Sequence, residues 1–133
     1  MEAVAKLRNH PTSTRKMRLM ADLVRGKKVE QALDILKFQP NYASKPLEKL
    51  IFSAVNNWEQ GNQGQRVEDA ELYIKTIFVD GGTILKRLRP RAQGRANRIR
   101  KRSNHVTVII DSKNISESNI ETPEVQEDKE IKE

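Results

Sequence analysis

AELYIKTIFVDGGTILKRLRPRAQGRANRIRKRSNHVTVIID, residues 70–111, contains two kinds of extended chain. Its ends, AELYIKTIFVD and HVTVIID, are rich in β-branched and aromatic residues and read as strands of a packed sheet. Between them, from Lys86 to Arg102, stand nine Lys or Arg and no Asp or Glu. About two dozen residues separate the two strands, and a structureless loop of that length is unusual in a compact domain. The strands are therefore expected to continue outward as a β-hairpin over residues 80–104. A turn at Gln93-Gly94 would set Leu88 against Ile99, Arg89 against Arg98 and Arg87 against Arg100. A one-residue slip is the open alternative, and it would move every side chain of one strand to the other face.

The ribbon is long for its body. From Asp80 to the tip is 12 residues, or roughly 40 Å at about 3.3 Å each. A 100-residue domain has a radius of gyration of only about 13 Å. An isolated two-stranded hairpin is marginal in water, and like charges opposed across it weaken it further. Such an arm needs an anionic partner to hold one shape.

The remainder of the chain supplies a body for the arm. EAVAKLRN (2–9) alternates, with Ala3, Ala5 and Leu7 on one side, and stops at His10-Pro11, as a strand would. Ser13 caps a helix whose stripe holds Met17, Met20 and Val24, with Leu19 and Leu23 beside them; Gly26 ends it in the left-handed region. VEQALDILKF places Val29, Ala32, Leu33 and Leu36 on one face of a second helix, which Pro40 terminates. The third helix starts near Ala43, because Pro46 is tolerated only in a first turn, and ends near Gly61 or Gly64. Its stripe of Leu47, Leu50, Ile51, Ala54, Val55 and Trp58 keeps helical spacing throughout. The expected fold is α+β: three helices packed on a small three-stranded antiparallel sheet, with a long protruding basic β-hairpin. This domain takes residues 1–111; residues 112–133 read as an acidic, disordered tail.

Composition narrows the function classes. The chain has 133 residues, a mean hydropathy of −0.74 and no cysteine, which excludes disulfides, thiolate zinc sites and cysteine nucleophiles. No apolar run is long enough to span a membrane, and MEAVAKLRNHPTS lacks the apolar stretch of a signal peptide, so a cytoplasmic protein is expected. Residues 1–111 hold 22 Lys or Arg against 11 Asp or Glu, and residues 112–133 hold three against seven. A basic body of this kind suits a polyanion, nucleic acid first and an acidic membrane surface second.

The hairpin arginines point to phosphate. Seven of the nine cations are Arg, whose planar fork matches a phosphate and stacks on bases. Pro90, Ala92, Gly94 and Ala96 keep the tip compact, and Gly81-Gly82 supply either a bend that aims the arm or an ordinary turn. A second cluster brackets the first helix. Arg25, Lys27 and Lys28 past its end complement the helix dipole, whereas Arg15, Lys16 and Arg18 at its start oppose it and are better explained by an external phosphate.

Nothing in the chain reads as catalytic. His10 and His105 lack any ligand spacing, Asp80-Gly81-Gly82 lacks the lysine and helix of a phosphate loop, and Glu68, Asp69 and Glu71 read as solvated charge rather than a metal site. No cofactor is implied.

STRKMRLMADLVRGKKVEQALDIL, KLIFSAVNN and above all GGTILKRLRPRAQGRANRIRKRSNHVTVII resemble ribosomal protein twenty-two of the bacterial large subunit, over residues 2–111. The resemblance implies a structural protein that binds large-subunit rRNA and supports subunit assembly, with its globular part near the exit of the nascent-polypeptide tunnel. It also implies that Lys86, Arg87, Arg89, Arg91, Arg95, Arg98, Arg100, Lys101 and Arg102 contact rRNA, and Arg15, Lys16 and Arg18 match the basic first helix of that family; Arg25, Lys27 and Lys28, the rest of the basic cluster, are expected to contact rRNA as well. Pro90, Arg91, Ala92, Gln93, Gly94, Arg95 and Ala96 become the tunnel-lining tip, in a region associated with macrolide susceptibility. The implied partners are rRNA, neighbouring large-subunit proteins and the nascent chain, with no membrane and no homo-oligomer. Leu88-Arg89 is more basic than the hydrophobic pair often found there, and the acidic tail lies outside the resemblance. Two other classes stay open from the residues alone: an architectural DNA-binding protein with basic β-arms, and an enzyme acting on RNA through Asp80 or His105.

Overall fold

The computed structural model describes residues 2–62 and 70–112. In chain order these form β1 (Ala3–His10), α1 (Thr14–Val24), α2 (Val29–Phe38), α3 (Ser44–Gly61), β2 (Leu72–Gly81), β3 (Leu85–Pro90), β4 (Ala96–Lys101) and β5 (Asn104–Ser112). The acidic pair Glu68 and Asp69, the alternative helix end at Gly64 and the tail from residue 113 onward lie outside the described residues.

β1, β5 and β2 make an antiparallel sheet in that order, with β5 in the middle. The central place follows from its sequence, since Asn104, Val106, Val108, Ile110 and Ser112 are all buried on one face. Ser112 pairs with Leu72, so the sheet runs one residue past the boundary read from composition.

The expected stripes form the core. Met17, Met20, Ala21 and Val24 of α1 join Val29, Ala32 and Leu36 of α2 and Leu47, Leu50, Ile51, Ala54 and Trp58 of α3 against Ala3, Ala5, Ile74 and Ile77 of the sheet. Trp58 is wholly buried, and burying one such side chain contributes on the order of 3 kcal/mol. Leu19 and Leu23 depart from expectation, at 59% and 39% exposed. Each lies one residue from the buried stripe, and the roughly 100° turn per residue swings it off that line. Ser13 holds the extended cap position, but its side chain makes no capping hydrogen bond. Gly26 adopts φ +72° as required of a left-handed helix stop.

β2 leaves one edge of the sheet open, and the α1–α2 connection covers it. Gly26 N–H donates to Ile74 O (3.1 Å), and Ile74 N–H donates to Lys27 O (3.0 Å). Further along the edge, Arg25 donates to Ile77 O (3.1 Å), and Arg18 donates through Nε and Nη2 to Val79 O (3.2 and 3.0 Å). An exposed strand edge invites pairing with another chain, and these two arginines occupy its carbonyls. Between Ile74 and Thr76 the register shifts at Lys75, whose ammonium joins Glu2 and, at 3.0 Å, Asp111. These hydrogen bonds hold the Lys75 pKa well above its ordinary value.

Candidate nucleic-acid interface

β3 and β4 form their own two-stranded sheet, and every residue in them is exposed. The hairpin is therefore present, but its ladder is separate from that of the body. Three residues, Gly82 to Ile84, divide β2 from β3, and two, Arg102 and Ser103, divide β4 from β5. The unequal break is clasped by Gly82 N–H to Ser103 O (2.9 Å) and Ser103 Oγ–H to Thr83 O (2.7 Å). A Cβ on Gly82 would lie 2.4 Å from Ser103 Oγ and 3.1 Å from its carbonyl carbon. Glycine is needed at 82 for this close approach, not for an unusual φ.

The observed register differs from the expected one by a single residue. Leu85 pairs with Lys101, Lys86 with Arg100, Arg87 with Ile99, Leu88 with Arg98, Arg89 with Asn97 and Pro90 with Ala96. The cause lies at the tip. Gln93 (φ 62°) and Gly94 (φ 67°) both enter the left-handed region, and Arg91 N–H donates to Arg95 O (2.7 Å). This closes an odd-numbered loop centred on Gln93, whereas the expected turn was even-numbered. The slip relieves repulsion. Two Arg–Arg oppositions were expected, but the structure has one like-charge pair, Lys86 with Arg100, and sets Arg87, Arg89 and Arg98 against uncharged partners.

Cross-strand partners share a face, so the register also sorts the charges. One face carries Lys86, Arg98 and Arg100, and the other Arg87, Arg89 and Lys101. Arg91 and Arg95 flank the tip and Arg102 sits at the base. Among the described residues none of these nine is ion-paired; Arg87 donates only to the neighbouring Lys86 carbonyl, at 2.9 Å. The arm is a two-faced ladder of unneutralised cations.

The structure divides the helix cluster further, setting Arg18 apart from Arg15 and Lys16. Asn104, fully buried at the arm base, donates to the carbonyl and hydroxyl oxygens of Thr12 (2.9 and 2.7 Å), and so ties the approach to α1 to the arm. Arg15 and Lys16, exposed and without an ion-pair or hydrogen-bond partner among the described residues, therefore sit at the arm's root. Arg18 opposes the dipole, yet it has an internal reason for its place on Val79 O. Arg25 pairs with Asp22 (2.6 Å) as well as Ile77 O, and Lys28 pairs with Glu71 (3.0 Å). Arg25, Lys27 and Lys28 lie at the far end of α1, about 16 Å away for an 11-residue helix.

The histidines have structural surroundings. Asn9, at φ 53° in the β1 irregularity, donates its N–H to His105 Nδ1 (3.0 Å), which fixes the neutral ring as the Nε2–H tautomer. His10 stacks on Tyr42 with ring centroids 5.9 Å apart, and burial lowers its pKa. Among the described residues no group of three or more His, Asp or Glu is placed to hold a metal ion, and no helix is long and apolar enough to cross a membrane.

A small α+β body holding out an arm of unpaired guanidinium groups defines a class of polyanion-binding protein. The family described as "Ribosomal protein L22p/L17e" matches residues 5–111. Among similar proteins, "Large ribosomal subunit protein uL22" of Flavobacterium johnsoniae is 62% identical over 117 residues, covering 88% of this chain and 85% of the relative. The uL22 proteins of Christiangramia forsetii (62% identical, covering 87% and 86%) and Bacteroides fragilis (57%, covering 85% and 82%) match over nearly the same span. The chain belongs to the ribosomal protein L22p/L17e family.

Proposed function

We propose that the chain is a structural, non-catalytic constituent of the large ribosomal subunit in the cytoplasm, where it binds large-subunit rRNA and supports assembly. The observation that carries this reading is the arm: nine cations on two faces, root and tip, unpaired among the described residues and with no acid among them. The relatives named as large-subunit proteins support the same assignment. Affinity comes mainly from phosphate neutralisation, and the two-faced ladder suits a polyanion that surrounds the arm rather than one that lies along it. Arg15 and Lys16 extend the contact at the arm's root. Arg18, Arg25 and Lys28 serve the protein first and offer phosphate only their remaining donors.

The finer reading is that residues 90–96 line the nascent-polypeptide tunnel, with the body near its exit. The compact tip, turned by Gln93 and Gly94, suits a confined wall.

Two measurements test this. Tagged protein expressed in cells should sediment with large subunits through a high-salt cushion, and recovery with small subunits or free protein would overturn the assignment. On isolated nucleic acids, structured large-subunit rRNA should outcompete duplex DNA; the opposite order would favour a minor-groove architectural protein.

A further inference from the structure

A groove of about 1090 Å³ opens between β1, the end of α2 and the first half of α3. Its floor is apolar, made by Leu7, Leu36 and Leu50, and His10 stacked on Tyr42 forms one wall. Four lysines line it, Lys6 from β1, Lys37 from α2, and Lys45 and Lys49 from α3, with Glu48 the only acid among the described residues of its lining. Among the described residues none of the four is ion-paired. The result is an aliphatic floor with a net charge of +3 along its lining.

The chemistry of this groove differs from that of the arm. The arm's cations are mostly arginine, suited to bidentate phosphate, whereas the groove's are all lysine above leucine. A phosphodiester backbone, polar apart from its sugar C–H groups, offers little apolar surface for such a floor. An acidic peptide with interspersed aliphatic residues fits both parts, and the chain contains one. Residues 113–133, outside the described residues, hold seven acids against three lysines, with Ile115, Ile120, Val125 and Ile131 spread among them.

The reach is sufficient. Lys6 pairs with Thr107 and His10 with Asn104, so the groove lies beside the first half of β5. That is five to eight residues back from Ser112, or about 17 to 26 Å along a strand. The 21 residues beyond Ser112 span up to about 70 Å when extended.

We propose that the lysine-lined groove between β1, α2 and α3 is the docking site of this chain's own acidic segment 113–133, with its aliphatic side chains on the leucine floor and its carboxylates on the lysines. The contact is intramolecular, and tethering supplies an effective concentration in the millimolar range. It is electrostatic at its rim, so salt weakens it. The proposal is independent of whether the arm binds rRNA.

The absence of cysteine allows a direct test on the full chain. A nitroxide on Ser118→Cys reports proximity by broadening nearby amide signals in an isotope-labelled sample. At about 50 mM salt, tethering should cost Lys37, Tyr42 and Lys49 roughly half their intensity or more relative to the reduced label. Intensity should return at about 0.5 M salt. It should also return in a variant with Glu117, Glu121, Glu124 and Glu127 changed to Gln, which leaves the folded body untouched, and in Lys45→Glu/Lys49→Glu. No broadening at the groove would overturn the proposal, as would broadening confined to residues 85–101 of the arm. Broadening seen only when label and isotope are on different molecules would also overturn it, by assigning the groove to a second copy. If Lys45→Glu/Lys49→Glu weakens RNA binding while the label never approaches the groove, the lysines face RNA and the proposal falls.

Discussion

Neutralising one face of the arm tests how the arm meets its partner. The observed register places Lys86, Arg98 and Arg100 on one face and Arg87, Arg89 and Lys101 on the other. Each triple changed to Gln removes three cations that make no ion pair among the described residues, so the folded body should be unaffected. Each neutralised phosphate contributes about 0.7 to 0.9 to the slope of log K against log salt. Either triple should therefore make the slope shallower by about 2 to 3, from a starting value of about −4 to −7 if six to eight phosphates are engaged. At about 0.15 M salt the affinity loss should be about 100-fold, shrinking toward none near 1 M. Filter binding of an rRNA fragment across a salt series reads both quantities. If only one triple matters, the arm lies along RNA on one face and is not surrounded. If neither changes the slope, the electrostatic account of the arm fails.

Three further outcomes follow from particular contacts. Gly82→Ala should displace the Ser103 clasp, leaving the unfolding of the body within about 1 kcal/mol while lowering rRNA affinity by misaiming the arm; pairing it with Ser103→Gly should restore part of that loss, and an unchanged single variant would show that the base is not a fixed joint. Amides of residues 84–103 should exchange quickly in the free protein and become protected on binding rRNA, because a two-stranded hairpin alone is marginal; strong protection without RNA would show that the arm holds its own shape. Burial lowers the His10 pKa, so the fold favours the neutral ring. Its contribution is complete above the unfolded value of about 6.5 and declines as pH falls through that value toward the lower folded one. Denaturant midpoints should therefore fall with pH across that window, and His10→Gln should flatten the decline; an equal decline in the variant would exclude His10 as its source.

Much of this was legible in the residues because it depends on local rules. Helical spacing from Leu47 to Trp58 defines α3 whatever surrounds it, and alternation in β5 gives a strand buried on one face. Nine cations between Lys86 and Arg102 with no acid reveal a polyanion-binding arm before any fold is known. What failed to read depends on small offsets or distant neighbours. The arm's register turned on one residue in the Arg91–Arg95 loop, and that residue decided which cations oppose one another. Gly82 announced a bend, but the Ser103 clasp that requires it comes from 21 positions away.

The cations show the division most clearly. By itself the sequence determined how many there are, where they cluster along the chain and that arginine dominates the arm, because charge and periodicity are properties of contiguous residues. Only the tertiary structure decided their uses. It placed Arg18 and Arg25 on the open edge of β2, left Arg15 and Lys16 at the arm's root, and gathered Lys6, Lys37, Lys45 and Lys49 from three elements around one groove. A carbonyl edge or a leucine floor exists only after β1, β2, α2 and α3 have packed, so no local pattern could announce it.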